Sequence, residues 1–514
     1  MPSETSTDHF DVLIVGAGLS GIGAAYHLQQ KCPGKTYAIL EGRDAIGGTW
    51  DLFRYPGIRS DSDMHTLGYS FKPWRQAKAI ADGPSIRSYV RETADENGIS
   101  EHIRFGQDVK SAKWSSETSS WYVTSLDKAS GEEKTVTGQY LLMCSGYYSY
   151  DAGYTPDFDG MEDFSGLIIH PQKWDESIDY ANKKVVVIGS GATAVTLVPE
   201  MAKTAAHVTM LQRSPTYMAT RPATDALANK MRKFLPERLA YSLSRWKNVL
   251  FTMYFYNLTQ KHPEKTKEQL IGIVREQLGP DYDVEKHFTP AYNPWEQRLC
   301  LVPDNDLFEA IKDGAASVVT DHIERFDENG IQLKSGERID ADIVVTATGL
   351  DLKFLGGVEL EVDGRKIVPN ELLNYKGLMF SGLPNLAGVF GYTNASWTLK
   401  ADLTSEFMCR LINHMDRSGD VAATPHNDDP NVETEDWLSF SSGYVQRTLH
   451  RFPKQASNKP WKLNQNYAVD LMTLRFSKLD DGVMRFTKAG EQVPVSVAPV
   501  DASTQAGAQE LAAE

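Results

Sequence analysis

The chain of 514 residues carries 53 lysine and arginine residues against 68 acids, a formal charge of −15, with 41% hydrophobic and 24% charged residues. Those totals fit an ordinary globular chain with room for two or three domains, and they exclude non-specific nucleic-acid binding, which needs a basic face. No run reaches the roughly 18 apolar residues that span a bilayer, and the polar residues 1–9 are not a secretory signal. Cys32, Cys144, Cys300 and Cys409 are scattered, form no CxxC pair and have no cluster of metal-ligating neighbours, so free thiols in a reducing cytoplasm are expected.

Residues 11–15 form a short β-branched apolar run, the mark of a strand buried in a parallel sheet. Gly16-Ala17-Gly18-Leu19-Ser20-Gly21 follows at once, and residues 22–30 predict a helix. Strand, glycine turn and helix together give this otherwise weak motif its meaning. The glycines let the backbone approach a pyrophosphate, which then sits on the helix N-terminus where N–H groups and the dipole favour anions. A second strand over residues 36–40 ends at Glu41. An acid there accepts hydrogen bonds from ribose hydroxyls and repels a 2′-phosphate, so the first site suits FAD or NAD and not NADP.

Gly47-Gly48-Thr49-Trp50-Asp51 and Arg54-Tyr55-Pro56-Gly57-Ile58-Arg59-Ser60-Asp61 come next. A Gly/Pro-rich surface loop is the plain reading. The mixture of glycines, aromatics, arginines and acids after a ribose acid instead suits the surroundings of a flavin ring. Residues 140–146 are an apolar strand ending in Ser145-Gly146. Then Phe164-Ser165-Gly166-Leu167-Ile168-Ile169-His170-Pro171-Gln172-Lys173-Trp174 gives the pattern FxGxxxHxxxW. His170 has no metal-ligand neighbours.

Residues 183–188 predict another buried strand, followed by Gly189-Ser190-Gly191-Ala192-Thr193-Ala194, a helix through Ala202, and a strand over residues 208–212. That strand ends at Gln212 and is followed by Arg213-Ser214, with no acid. Guanidinium and hydroxyl donors suit a 2′-phosphate, so this site reads as NADPH; a plain surface arginine is the other reading. Two nucleotide sites in one chain suggest hydride transfer from one bound cofactor to the other. Residues 225–278 are rich in Leu, Lys, Glu, Arg and aromatics and poor in glycine, which predicts a helical insertion. Its aromatic stretch, residues 246–256, is expected to pack in a core and not against a membrane. A further strand over residues 343–349 ends in Thr348-Gly349; like residues 140–146, it suits the close of one nucleotide domain and the passage to the next, and the chain from about Ala489 is predicted to be disordered.

FxGxxxHxxxW between two glycine loops resembles the fingerprint of type I Baeyer–Villiger monooxygenases. The GGxW and RYPGxRxD segments, Tyr292 to Pro303 and Gly391 to Asp402 extend the likeness from about Asp11 to Phe486, and the chain resembles the bacterial ethionamide-activating subgroup. The resemblance implies an α/β fold of two Rossmann-like dinucleotide-binding domains with a helical insertion. It implies an FAD domain in parts (1–150 and 381–488), an NADPH domain in parts (151–220 and 296–380), the insertion (221–295) and a disordered tail (489–514). It also implies a cytoplasmic enzyme that uses FAD, NADPH and O2 to convert ketones to esters or lactones through a C4a-peroxyflavin, with sulfide oxidation as a side activity.

Carried over residue by residue, Gly16, Gly18, Ser20, Gly21, Glu41, Thr49, Trp50, Arg59, Asp61, Val109 and Trp397 would bind FAD. Gly189, Ser190, Gly191, Thr193, Ala194, Gln212, Arg213 and Ser214 would bind NADPH. Arg298 and Asp61 would be the catalytic pair, the cation favouring an anionic peroxide and the acid orienting it. From the residues alone, a structural ion-pair role for Arg298 is equally open. Many relatives carry lysine just before this arginine; Gln297 stands here and leaves more of the NADPH preference on Arg213. His170 is expected at the junction between domains. No metal and no membrane span are expected, though a peripheral membrane contact is left open. An N- or S-oxygenating flavin monooxygenase is the nearest alternative; it usually ends the motif in another aromatic than Trp174.

Overall fold

The computed structural model describes residues 8–297, 299–438 and 441–499. Strand His9–Val15 sits mid-sheet, with Tyr37–Leu40 parallel on one side and Glu133–Met143 parallel on the other. Val12, Leu13 and Ile14 are fully buried, which is why this strand is a continuous apolar run and not an alternating one. Ile103–Arg104 extends the sheet beyond Tyr37–Leu40. On the other side, Ser120–Asp127 and Gln107–Ser115 continue as antiparallel strands, followed by Glu359–Val362 and Arg365–Lys366. Leu386–Gly388 pairs with Glu133–Met143 in parallel.

The second sheet is wholly parallel, in the order Ala316–Thr320, His207–Gln212, Lys184–Ile188, Ile343–Thr346 and Leu167–Ile169. The chain leaves the first sheet through Tyr148–Gly153 and returns through Leu350–Leu352, and these two connections pair as an antiparallel ribbon. The return therefore comes earlier than the expected boundary at residue 381: Glu359–Val362 and Arg365–Lys366, read from sequence as part of the second domain, complete the first sheet.

Helices Ala226–Phe234, Glu237–Lys261 and Pro263–Leu278 form the insertion foreseen from composition. The expectation that residues 246–256 pack in a core holds only in part: Val249 is buried and Met253 and Phe255 pack against the cores, but Trp246, Leu250, Phe251 and Tyr254 are exposed. The inward side also carries polar residues, because polar partners wait there. The Arg245 guanidinium donates to the carbonyl oxygens of His65 at 2.9 Å and Gly68 at 2.7 Å, and the Asn248 amide donates to Asp63 at 2.8 Å. Part of the expected disordered tail is also ordered. Val493 is buried with its N–H on the Ser116 hydroxyl at 3.3 Å, and the Val497 N–H donates to the Asn427 carbonyl at 2.8 Å. Residues 500–514 lie outside the described residues.

Candidate active site

The first glycine loop is built by close backbone approach. Gly16 has φ +104°, and a Cβ there would lie 2.6 Å from the Cys144 carbonyl oxygen. A Cβ on Gly21 would lie 1.8 Å from the Gly16 oxygen. A Cβ on Gly18 would touch the Gly48 Cα at 3.4 Å, so the Gly47-Gly48 turn closes over the loop, and the Gly47 N–H donates to the Ala17 carbonyl at 3.1 Å. Helix Leu19–Lys31 starts at Gly18 with no side-chain cap, which leaves its first-turn N–H groups for an anion.

Glu41 is buried at the end of Tyr37–Leu40 and accepts from the N–H groups of Ala17 at 2.6 Å and Arg43 at 2.8 Å. Burial raises its pKa, against the pull of those two N–H donors and the Arg43 charge. Each of its oxygens keeps a lone pair for a ribose hydroxyl. Trp397 donates its indole N–H to the Ser20 hydroxyl at 2.8 Å, so two predicted cofactor residues 377 positions apart meet. Thr49 and Trp50 begin the short helix Thr49–Leu52 beneath the Gly47-Gly48 turn. Val109 lies on Gln107–Ser115, whose first residue donates its N–H to the Glu41 carbonyl at 2.9 Å.

The second loop repeats the design. Gly189 has φ +142°, and its Cβ would lie 2.4 Å from the Ala347 carbonyl oxygen. Helix Ala192–Met201 starts at Gly191, again with no side-chain cap. Here, however, a Cβ on Gly191 would meet nothing within 4 Å. The Ser190 hydroxyl lies 2.8 Å from that of Thr216, Ala194 is fully buried, and Thr193 hydrogen-bonds the Tyr55 hydroxyl.

The strand register pairs Val15 with Leu40 and Ile188 with Leu211, which makes Gln212 the positional equivalent of Glu41. The Gln212 amide donates to the His287 carbonyl at 2.7 Å and the Thr320 hydroxyl at 2.9 Å, while its buried oxygen finds no donor among the described residues. Arg213 and Ser214 follow, both exposed.

The fingerprint clasps the ribbon that joins the sheets. His170 Nδ1 accepts the Gln172 N–H at 3.1 Å, so the ring proton is on Nε2, which donates to the Gly349 carbonyl at 3.0 Å. The Tyr154 N–H donates to that same carbonyl at 3.0 Å. Gly153 is the only residue that fits beside the ring, because a Cβ there would lie 2.0 Å from it. The Gln172 amide donates to the Ser149 carbonyl at 2.6 Å. Burial lowers the His170 pKa, opposed by the hydrogen bond to Gly349, and keeps the imidazole neutral as this geometry requires. Trp174 is buried in the second core, edge-on to Tyr180.

The Tyr55–Arg59 segment crosses between the two sites. Gly57, at φ +75°, backs onto helix Ala192–Met201, where a Cβ would lie 2.8 Å from Glu200. Arg59, expected on FAD, ion-pairs with Asp306 at the start of helix Asp306–Lys312. Asp61 is exposed beside this segment and its charge acts on the Tyr55 hydroxyl, whose pKa is raised first of all by burial. A cavity of about 260 Å³ lies at the start of helix Trp397–Ser418. Val249, Met253 and Leu399 give it apolar walls, while Asn394, Asn464 and Gln465 add carboxamides.

The profile of the flavin-binding monooxygenase-like family matches residues 79–387, and that of an NAD(P)-binding Rossmann-like domain matches residues 14–82. The FAD-containing monooxygenase EthA of Mycolicibacterium smegmatis is 52% identical, covering 95% of this chain and 99% of the relative. The chain belongs to the flavin-binding monooxygenase-like family. The putative FAD-containing monooxygenase MymA of Mycobacterium tuberculosis is 50% identical over 94% of this chain and 98% of that relative. In fold, this monooxygenase is similar to a crystal structure of oxidized steroid monooxygenase bound to NADP, with TM-score 0.70, 23% identity, and coverage of 93% of this chain and 100% of that one.

Arg298, the predicted catalytic cation of this monooxygenase, lies outside the described residues, between Gln297 and strand Leu299–Pro303. Two charged centres escaped the sequence reading. Buried Asp51 pairs with Arg43 at 2.8 Å and Arg54 at 2.6 Å, with Arg91 at 3.4 Å and Arg87 at 3.6 Å. Four guanidinium groups on one carboxylate leave the rim of the first loop positive. The i, i+4 spacing of Arg87 and Arg91 on helix Gly83–Glu96 was the available signal. Asp402 meets His27 at 3.2 Å, Arg245 at 3.5 Å and the Ser70 N–H at 3.2 Å. Burial pushes its pKa up, but the His27 hydrogen bond and the His27 and Arg245 charges hold the net value down. Its partners are hundreds of residues apart in sequence, and no local pattern marks them.

Proposed function

We propose that this monooxygenase is of the Baeyer–Villiger type, using FAD, NADPH and O2 to insert one oxygen atom into ketones, with sulfides as secondary substrates. The observation that carries the reading is the pairing of two uncapped helix N-termini, one with an acid at the strand end and one with Gln212-Arg213, joined by the ribbon that His170 clasps. The names of the relatives, FAD-containing monooxygenases at 50–53% identity, support it.

The residues present fit both cofactors. Gly16, Gly18 and Gly21 let the backbone of the first loop close up for a pyrophosphate where a Cβ would clash, Ser20 holds Trp397 at its edge, and Glu41 keeps acceptors for a ribose. Gly189, Ser190, Gly191, Thr193 and Ala194 shape the second cradle, with Arg213 and Ser214 as donors for a 2′-phosphate. When bound, the reduced flavin supplies the activation of O2. The chain's own residues then bind, orient and exclude water. The Arg298 guanidinium would stabilise the negative charge that develops on the carbonyl oxygen, and Asp61 would fix its direction.

Incubating the flavin-loaded enzyme with NADPH, O2 and a panel of ketones and sulfides, with products read by mass spectrometry, tests the reading. Esters or lactones support it; sulfoxides with no ester point to the N- or S-oxygenating alternative. Arg298→Ala is expected to lose ester formation by roughly 10²–10³-fold. It should still oxidise NADPH and release hydrogen peroxide.

A further inference from the structure

Helix Glu237–Lys261 carries apolar side chains on both sides. Tyr241, Ser244, Arg245, Asn248 and Val249 face the protein. Leu239, Leu243, Trp246, Leu250 and Tyr254 recur at steps of three and four on its outer side with Phe251 beside them, each 41–67% exposed. The neighbouring helices continue this surface. Ala226–Phe234 packs against it and exposes Leu227 and Phe234. Tyr467–Phe476 meets it where the Trp246 and Tyr467 rings lie 5.9 Å apart, and exposes Val469, Met472 and Phe476 as a second stripe. Eleven of the sixteen exposed large hydrophobic side chains among the described residues lie on these three helices, a concentration that marks an interaction surface.

Charge identifies the partner. Leaving aside the inward-facing Arg245, six lysine and arginine residues between residues 225 and 261 stand against two acids, Asp225 and Glu237, in a chain whose formal charge is −15. Lys230, Lys233, Arg238 and Lys261 are exposed. A second copy packed symmetrically on this surface would bring the same basic residues against each other. A bilayer with anionic headgroups satisfies both the apolar stripe and the basic residues. We propose that these three helices dock the protein on an anionic lipid surface, with the apolar side chains entering the headgroup boundary and the basic ones meeting lipid phosphates.

The cavity lies behind the same wall: Val249, Met253 and Tyr256 line it from helix Glu237–Lys261, and Asn466 and Tyr467 from the end of Tyr467–Phe476 that meets it. If the oxygenase reading above holds, docking sets the substrate pocket beside the bilayer, where apolar ketones concentrate. The docking itself does not depend on that reading.

Co-sedimentation of the flavin-loaded protein with vesicles tests the proposal, using equal parts phosphatidylglycerol and phosphatidylcholine against phosphatidylcholine alone. The protein is expected to bind the anionic vesicles, less so as salt is raised. Leu250→Glu with Phe251→Glu should weaken binding on the order of tenfold or more, leaving NADPH oxidation with a small water-soluble substrate unchanged. Phe234→Glu on the adjoining helix reads the same surface independently. Failure to bind either vesicle type, or binding as tight in the variants as in the wild type, overturns the proposal. An oligomer that the double substitution disperses, with no vesicle binding, also overturns it and makes the surface a subunit interface.

Discussion

The two glycine loops share one construction and differ in closure. In each, the first glycine backs onto a strand-end carbonyl, Cys144 for Gly16 and Ala347 for Gly189, and in each a helix starts without a side-chain cap. The first loop is then roofed by Gly47-Gly48 and pinned by the buried Glu41. The second has open space at Gly191, a neutral Gln212 where Glu41 stands, and an exposed Arg213. On the function proposed above, the enclosed cradle is assigned to a resident cofactor and the open one to a nucleotide that arrives and leaves.

The comparison is broken most severely at Gly21. Gly21→Ala puts a Cβ 1.8 Å from the Gly16 oxygen, where the second loop carries Ala194 without difficulty. The purified variant is expected to lack flavin by its visible absorbance, whereas Gly191→Ala, placed in open space, should retain it. Next in size is Asp402→Ala, which strips the node tying the first loop's helix to the insertion and leaves Arg245 buried without its carboxylate. Urea unfolding is expected to show a loss of about 3–5 kcal/mol.

Arg213→Ala sharpens the contrast at the second loop alone. The ratio of kcat/KM for NADPH over NADH should fall by roughly 10–100-fold with flavin content unchanged. The smallest effect concerns the clasp. His170 stays neutral in the fold, with its pKa held below 6.5, so the unfolded chain takes up a proton first as pH drops. Stability should therefore decline below about pH 6.5, by at most ~1.4 kcal/mol per pH unit from this residue. His170→Gln should remove that component; an unchanged acid slope would place the proton elsewhere.

Both glycine loops, their strands and helices, and the acid-versus-arginine difference were legible in the sequence, because backbone approach to a phosphate demands glycine at fixed spacing. The insertion was legible as helical, but its orientation was not. An apolar stripe reads the same whether it faces a core or the outside, and Arg245 and Asn248 meeting the short helix Met64–Leu67 and its caps decide which side turns in. The strand end at Thr348-Gly349 marked a place for the second crossing between the sheets, but the expected boundary lies later, at residue 381. Leu350–Leu352 is short, and its pairing with Tyr148–Gly153 is long-range. Gln212 as the counterpart of Glu41 needed the strand register, since reading onward from the strand end had put Arg213 in that place.

The tenancy of the two sites can be measured in one experiment. Protein equilibrated with excess FAD and NADPH is passed through a desalting column, and the retained nucleotides are quantified after denaturation. One FAD per chain with little or no nicotinamide nucleotide is the expected result. Loss of the flavin together with stoichiometric retention of the nicotinamide nucleotide would contradict the assignment of the enclosed loop to the resident cofactor and the open loop to the exchanging one.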